Sequence, residues 1–110
     1  MKGITPHYGL GEVYGRQGKL QESVEAYKEV IRHRPDYADA HFNLGWAYSV
    51  LGRFEEAIEP YKKAISLKPA LAIAHYNLGS AYLRMGRYEE ALKVGEEAVR
   101  LFPDEALFHF

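Results

Sequence analysis

The sequence predicts an all-α protein in which pairs of helices repeat and stack into a solenoid. Several positions return every 34 residues with the same residue each time, among them Gly11, Gly45 and Gly79; Tyr14, Tyr48 and Tyr82; Gly18, Gly52 and Gly86; and Pro35, Pro69 and Pro103. Self-similarity at this period is typical of repeat architectures, in which one unit is too small to bury its own apolar face and stacks on its neighbours. Function in such a fold is expected on an extended surface.

Each cycle carries the pattern of two helices, which the second cycle shows best. Leu44 and Tyr48 lie four residues apart on one helical stripe, and Gly52 ends that helix because glycine tolerates the left-handed conformation beyond a helix C-terminus. A second apolar stripe begins at Phe54 and stops at Pro69, since proline cannot continue a helix. The predicted units of this single domain, 1–110, are residues 4–37, 38–71 and 72–105.

The end of the sequence repeats the start of a unit. The pair His41 and Phe42, which lies in the first helix of the second unit, returns in register as His109 and Phe110, so residues 106–110 begin a fourth unit. This end is apolar, whereas solenoids usually carry a polar cap. The pattern favours a fragment of a longer array or a domain that self-associates. The residues predicted to mediate self-association are Leu107, Phe108 and Phe110.

Composition excludes several functional classes. Lys and Arg number 14 against 15 Asp and Glu, so the chain lacks the basic excess of nucleic-acid-binding proteins. The absence of cysteine excludes disulfides and thiolate metal sites. No apolar run approaches the roughly 18 residues that a membrane span needs, and no secretory signal follows Met1. We therefore expect a cytoplasmic protein without nucleic-acid or membrane partners.

The residues that could carry chemistry do not converge. His7, His41 and His75 recur every 34 residues, but equivalent side chains on stacked helices about 8–10 Å apart run parallel. Ligands of one zinc ion must all lie about 2 Å from it. A structural role is therefore predicted for these histidines. The serines are scattered over separate helices and the glycines follow the repeat, so no catalytic site, metal site or cofactor is expected.

The candidate binding surface is the side of each first helix that faces away from the packed stripe. At about 100° per residue, Trp46 and Phe42 fall opposite Leu44 and Tyr48. Exposed contiguous apolar surface marks interaction sites, and Trp and Tyr are enriched among binding hot spots. The alternative is that Trp46 and Phe42 tuck against neighbouring helices. The predicted binding residues are Tyr8, Phe42, Asn43, Trp46, Val50, Ile73, Tyr76, Asn77, Leu83 and Arg84.

The period and the order of residues resemble tetratricopeptide repeats over nearly the whole chain. The second unit carries the resemblance in the order Leu44-Gly45, Tyr48, Ala57, Tyr61, Ala64 and Pro69. The resemblance implies antiparallel helix pairs in a right-handed superhelix, with the surface described above lining a concave groove. Together with the apolar residues of that surface, it favours a scaffold that binds an apolar or aromatic peptide, or a partner helix. The alternatives are stacking through the open ends, or recruitment of substrates for a larger enzyme.

Two groove features of this family bear on the ligand. Asn43 and Asn77 resemble rungs of the asparagine ladder in O-linked N-acetylglucosamine transferases, since each amide can pair with a peptide backbone. The family's carboxylate clamp for chaperone tails needs Lys and Asn in the first unit, Asn in the second, and Lys and Arg in the third. Those places hold Tyr8, Glu12, Asn43, Ile73 and Asn77. Because Glu12 would repel a carboxylate, binding of chaperone tails is not expected.

Overall fold

The computed structural model describes residues 5–104, and this part of the chain consists of three pairs of α-helices without a strand. The helices are α1 Thr5–Arg16, α2 Leu20–His33, α3 Ala38–Val50, α4 Phe54–Leu67, α5 Ala72–Arg84 and α6 Tyr88–Leu101. None of these helices combines the length and apolarity needed to cross a membrane. The predicted self-association residues Leu107, Phe108 and Phe110 lie outside the described residues.

A glycine turn ends the first helix of each pair. Gly18, Gly52 and Gly86 have positive φ angles of 78°, 80° and 75°, which glycine adopts without strain because it has no Cβ. At Gly52, the Arg53 N–H donates to the Tyr48 carbonyl at 2.8 Å and closes the helix in a Schellman motif. The guanidinium of Arg53 then lies over the Tyr48 ring, 5.1 Å from its centroid. The predicted helix stop at Gly52 is confirmed.

One apolar core runs through the array, because each helix packs against the helices before and after it in sequence. The α2–α3 and α4–α5 contacts join each pair to the next. The array is therefore an all-α helical-repeat solenoid, with extents of 38 × 26 × 20 Å. Buried residues of the core include Val24, Tyr27, Leu44, Tyr48, Ile58, Tyr61, Leu78 and Tyr82.

Mid-helix glycines let the two helices of a pair approach closely. A Cβ added to Gly45 would lie 2.8 Å from two ring carbons of Tyr61, and one added to Gly11 would lie 2.6 Å from Cε1 of Tyr27. Such distances are shorter than van der Waals contact. Ser23 of α2 also faces Gly11, since its Oγ donates to the Gly11 carbonyl. In both pairs the side chain that packs on the glycine is the ring of a tyrosine.

Two of the recurring histidines tie one helix pair to the end of the preceding one. Nε2 of His41 donates to the Pro35 carbonyl at 2.8 Å, and Nε2 of His75 donates to the Pro69 carbonyl at 2.9 Å. Both imidazoles are buried. Each bond satisfies a carbonyl just beyond a helix C-terminus, where no N–H of the same helix is available. The predicted structural role of His41 and His75 is confirmed.

The glycine–tyrosine contact predicts opposite effects for two Gly→Ala substitutions. Gly45→Ala should lower the free energy of unfolding by about 1 kcal/mol or more, because displacing the buried Tyr61 ring outweighs the gain in helix propensity. Gly9→Ala should raise it by up to about 1 kcal/mol, because no atom lies within 4 Å of the new methyl group. Urea denaturation of both variants tests this, and a stabilised Gly45→Ala protein would contradict it.

Candidate functional site

The outward faces of α1, α3 and α5 form a groove that Trp46 divides into two cavities. The first cavity, of about 470 Å³, lies between α1 and α3, and the second, of about 370 Å³, lies between α3 and α5. We call them cavity 1 and cavity 2. Trp46 lines both cavities and is the residue that their linings have in common. The remaining lining residues are Glu12, Gly15, Arg16, Tyr27, Phe42 and Asn43 in cavity 1, and Ser49, Val50, Phe54, Tyr61, Asn77, Ser80, Ala81 and Arg84 in cavity 2.

Trp46 reaches the groove because α3 is apolar on both sides. Leu44 and Tyr48 are buried in the core, and a residue two positions from each points to the opposite side of a helix. The indole is 38% exposed, so Trp46 can be reached from the groove, although the larger part of its surface is covered. One edge of the ring is supported by α1, since a Cβ on Gly15 would lie 3.4 Å from Cζ3 of Trp46.

Other predicted groove residues divide into exposed and half-buried positions. Val50, Ile73 and Leu83 are exposed, as predicted, and Arg84 is exposed as well. The predicted exposure of Phe42 and Tyr76 is wrong in degree, because both side chains are half-buried. The Phe42 ring leans on the Tyr61 ring, with 5.8 Å between centroids. Phe42 therefore forms part of the wall of cavity 1, and only part of its side chain is exposed.

The groove asparagines are bonded to tyrosines. Nδ2 of Asn43 donates to the Tyr8 hydroxyl at 2.7 Å, and Asn77 is hydrogen-bonded to the Tyr61 hydroxyl. Ser49 shares a further hydrogen bond of 3.0 Å with that hydroxyl. These bonds hold the amides in fixed orientations. Each bond uses one of the hydrogen-bonding groups of the amide. The other donor and acceptor groups of the amide are those that a ligand backbone could bond.

Tyrosine ionisation is suppressed along the groove. Burial, and after it the negative charge of Glu12, raises the pKa of Tyr8 to about 12. Burial also raises the pKa of Tyr27 to about 12, and Tyr8 adds to the effect. The two rings meet edge to face with centroids 5.7 Å apart. Burial raises the pKa of Tyr61 as well. These hydroxyls therefore stay neutral hydrogen-bonding groups at physiological pH.

Three lining residues come from the second helices and are absent from the predicted site. Tyr27 lines cavity 1, whereas Tyr61 and Phe54 line cavity 2. The guanidinium of Arg84 lies 5.0 Å from the centroid of the Phe54 ring. A sequence signal existed for the tyrosines, since Tyr27 and Tyr61 recur 34 residues apart. Periodicity along one helix could not show that these rings pass beneath the neighbouring helix.

Two sequence profiles match this chain, and both describe the tetratricopeptide repeat. One matches residues 8–72 and the other residues 72–105. The chain belongs to the tetratricopeptide repeat family. No curated protein sequence matches it.

Solved structures with the same fold include domains of different proteins. The first tetratricopeptide domain of Spaghetti (RPAP3), bound to the HSP90 peptide SRMEEVD, shares 25% identity at a TM-score of 0.87, over 96% of this chain and 83% of that chain. MamA shares 31% identity at a TM-score of 0.87, over 97% of this chain. The TPR2B domain of yeast Sti1, in a complex with pHsp70, shares 27% identity at a TM-score of 0.81, over 86% of this chain and 76% of that chain. The present chain spans only 58% of the length of the MamA chain with which it was compared.

Burial of tyrosines predicts that the fold weakens in alkali. Tyr8 and Tyr27 have pKa values above their ordinary value of 10.0, so the folded state disfavours the phenolate. Their contribution to stability is complete below pH 10, the pKa of the unfolded state, and is lost as pH rises toward about 12. Urea denaturation between pH 8 and pH 11 (roughly the range over which tyrosines begin to titrate) should show this fall.

The control is a double variant, Tyr8→Phe with Tyr27→Phe, in which neither ring can ionise. Lysines titrate in the same range but are common to both proteins, so the difference between the two curves isolates the tyrosines. The stability of the double variant should fall less steeply with pH than that of the parent chain. Equal slopes would show that these two hydroxyls are not held neutral by the fold.

Proposed function

We propose that this chain is a protein-interaction module, not an enzyme, and that its groove binds a peptide segment bearing apolar or aromatic side chains. The observation that carries the proposal is the exposed indole of Trp46, which forms a common wall of two adjacent cavities. A ligand seated there would bury the indole on both of its sides. Tryptophan is one of the residue types enriched among binding hot spots, which lie in pockets that a ligand can fill and desolvate.

The cavity linings support an apolar ligand with a hydrogen-bonded backbone. Phe42 and Tyr27 supply aromatic surface in cavity 1, and Phe54 and Tyr61 supply it in cavity 2. The two cavities together would accept two large side chains of one segment, one on either side of Trp46. Asn43 and Asn77, which lie at equivalent positions on α3 and α5, would fix the segment by bonding its main chain. These asparagine contacts are proposed from position and chemistry.

The solved structures give independent support for peptide and protein binding by this architecture. The Spaghetti domain holds a peptide, and the yeast Sti1 domain is in a complex with pHsp70. Both superimpose closely on the present chain, so the same architecture accommodates peptide and protein ligands elsewhere. Fold alone does not choose the ligand, which depends on the residues that line each groove.

Replacement of Trp46 should abolish most of the affinity. Peptides selected from a random displayed library on the parent chain should bind the Trp46→Ala variant at least about 30-fold more weakly, the effect of a hot spot of about 2 kcal/mol. Fluorescence anisotropy of labelled peptides measures both affinities. In addition, Trp46 is the single tryptophan of the chain, so its emission should change on binding.

A matched control is Tyr88→Ala, which removes an exposed aromatic side chain of α6 that lines neither cavity. Peptide affinity should be unchanged in this variant. If selected peptides bind Trp46→Ala as tightly as the parent, the ligand site lies elsewhere. If selection yields no peptide that perturbs Trp46 emission, the groove is not a peptide site.

The chaperone-tail peptide SRMEEVD should not bind saturably to this chain. Glu12 is exposed beside cavity 1, and Ile73 and Asn77 stand where the family's clamp carries cations. A variant with Tyr8→Lys, Glu12→Asn, Ile73→Lys and Asn77→Arg restores that set and should gain binding. Isothermal titration of both proteins tests this. Saturable binding of SRMEEVD to the parent chain would show that the carboxylates are held by other residues.

A further inference from the structure

Both ends of the solenoid expose positions that its interior buries. Leu10 on α1 is 45% exposed, whereas Leu44 and Leu78, at the same place one and two repeats later, are 7% and 5% exposed. At the other end, Leu92 on α6 is 61% exposed, whereas the equivalent Ile58 is 5% exposed. The interior positions are buried because a neighbouring helix pair covers them.

The interior junction between repeats shows which residues would meet across these ends. Ile58 of α4 belongs to the same buried cluster as Leu78 and Tyr82 of α5. One repeat further along, the position of Ile58 is taken by Leu92. Across a junction between two copies, the positions of Leu78 and Tyr82 would be filled by Leu10 and Tyr14 of the second copy. Apolar side chains are thus available on both sides of such a junction.

Polar contacts between neighbouring helix pairs also recur at equivalent positions of the repeat. Arg53 donates to Gln21 of the preceding pair at 2.9 Å, and Arg87 donates to Glu55 of its preceding pair at 3.3 Å. Continued by one more repeat, this contact would join Glu89 of one copy to Lys19 of the next. Both side chains are exposed and carry opposite charges. The charges at the two ends therefore match the pattern that joins the interior repeats.

An aromatic contact follows the same rule. Arg84 lies over the Phe54 ring of the preceding pair at 5.0 Å. The equivalents across a junction are Arg16 of the second copy and Tyr88 of the first, whose ring is exposed. A cation–π contact of the same kind is therefore available.

The space beside this contact is compatible with stacking. In the interior, Tyr61 and Ala81 line one cavity. At the junction, Gly95 of the first copy would take the place of Tyr61, and Val13 of the second copy would take the place of Ala81. The side chain of Val13, which is larger than that of alanine, would occupy part of the space left by the missing tyrosine ring.

We propose that copies of this chain associate head to tail, with the end that carries Leu10 and Lys19 stacking on the end that carries Leu92 and Glu89. The occupant of each end is a second copy because its apolar, ionic and cation–π groups match those of an interior junction at the same register. The first helix of the second copy would take the place that the repeat pattern assigns to residues 106–110, so stacking requires those residues to lie away from this end. The interface is heterologous, so association would not stop at two copies. This association uses residues outside the two groove cavities for its apolar and ionic contacts, and it does not depend on a peptide ligand.

The test is sedimentation velocity of the whole chain over a wide range of concentration. The parent chain should form species that grow with concentration. Leu10→Arg and Leu92→Arg each block one end and should weaken association at least about tenfold, since each removes a buried Leu contact. Both side chains are largely exposed in one copy, and circular dichroism checks that the variants remain helical. Leu51→Arg, at an exposed position of the middle unit that belongs to neither end and lines neither cavity, is the matched control and should associate like the parent.

Mixing the two blocked variants separates this arrangement from its alternatives. Leu92→Arg keeps an intact α1 end and Leu10→Arg keeps an intact α6 end, so an equimolar mixture should form a two-chain species and nothing larger. A parent chain that stays monomeric at every concentration overturns the proposal, because another segment or partner then covers these ends. Association of either variant alone as a dimer overturns it as well, because that result requires an interface between like ends.

Charge reversal provides a second test that leaves the apolar contacts in place. Lys19→Glu alone and Glu89→Lys alone each place like charges across the junction, and each should weaken association relative to the parent. A mixture of the two variants pairs opposite charges again at every junction and should recover parental association. Failure of the mixture to recover would show that Lys19 and Glu89 do not meet.

Discussion

The ring of Tyr61 lies against Gly45, and its position links the packing of the solenoid to the shape of the groove. The glycine lets α4 approach α3 closely enough for the ring to be buried, and a Cβ at that place would overlap it. The hydroxyl of the same ring emerges in cavity 2, where it bonds Ser49 and Asn77. One contact therefore closes a helix pair and also fixes the polar groups that a ligand would meet.

Stability in this fold depends on neighbours. The buried cluster joins residues of neighbouring helix pairs, and the same leucine position is buried or exposed according to whether another pair covers it. Hydrogen bonds such as that from His41 to the Pro35 carbonyl fix the spacing between pairs. The interior junction is therefore both the source of stability and the pattern for the proposed stacking of copies. Stacked copies would also place their first helices in one continuous row, which would lengthen the groove.

The proposed ligand site follows from a helix that is apolar on two sides. One side of α3 packs in the core, and the other presents Trp46 between two cavities. Of the structural neighbours with the same architecture, one holds a peptide and another is in a complex with pHsp70. Glu12 and Ile73 give this groove a different chemistry from a carboxylate clamp. Apolar contact with Trp46 is the feature on which recognition is proposed to depend.

The sequence by itself determined the helix pairs, their turns and the side of each first helix that faces the groove. These features depend on local chemistry: Gly52 adopts a positive φ angle, Pro69 stops a helix, and Trp46 falls opposite Leu44 at helical spacing. Only the tertiary structure decided that Phe42 is half-buried, that Asn43 bonds Tyr8, and that rings from the second helices line the cavities. Those contacts join residues from different helices, and the crossing of the helices places them together. A pattern read along one helix carries no information about that crossing.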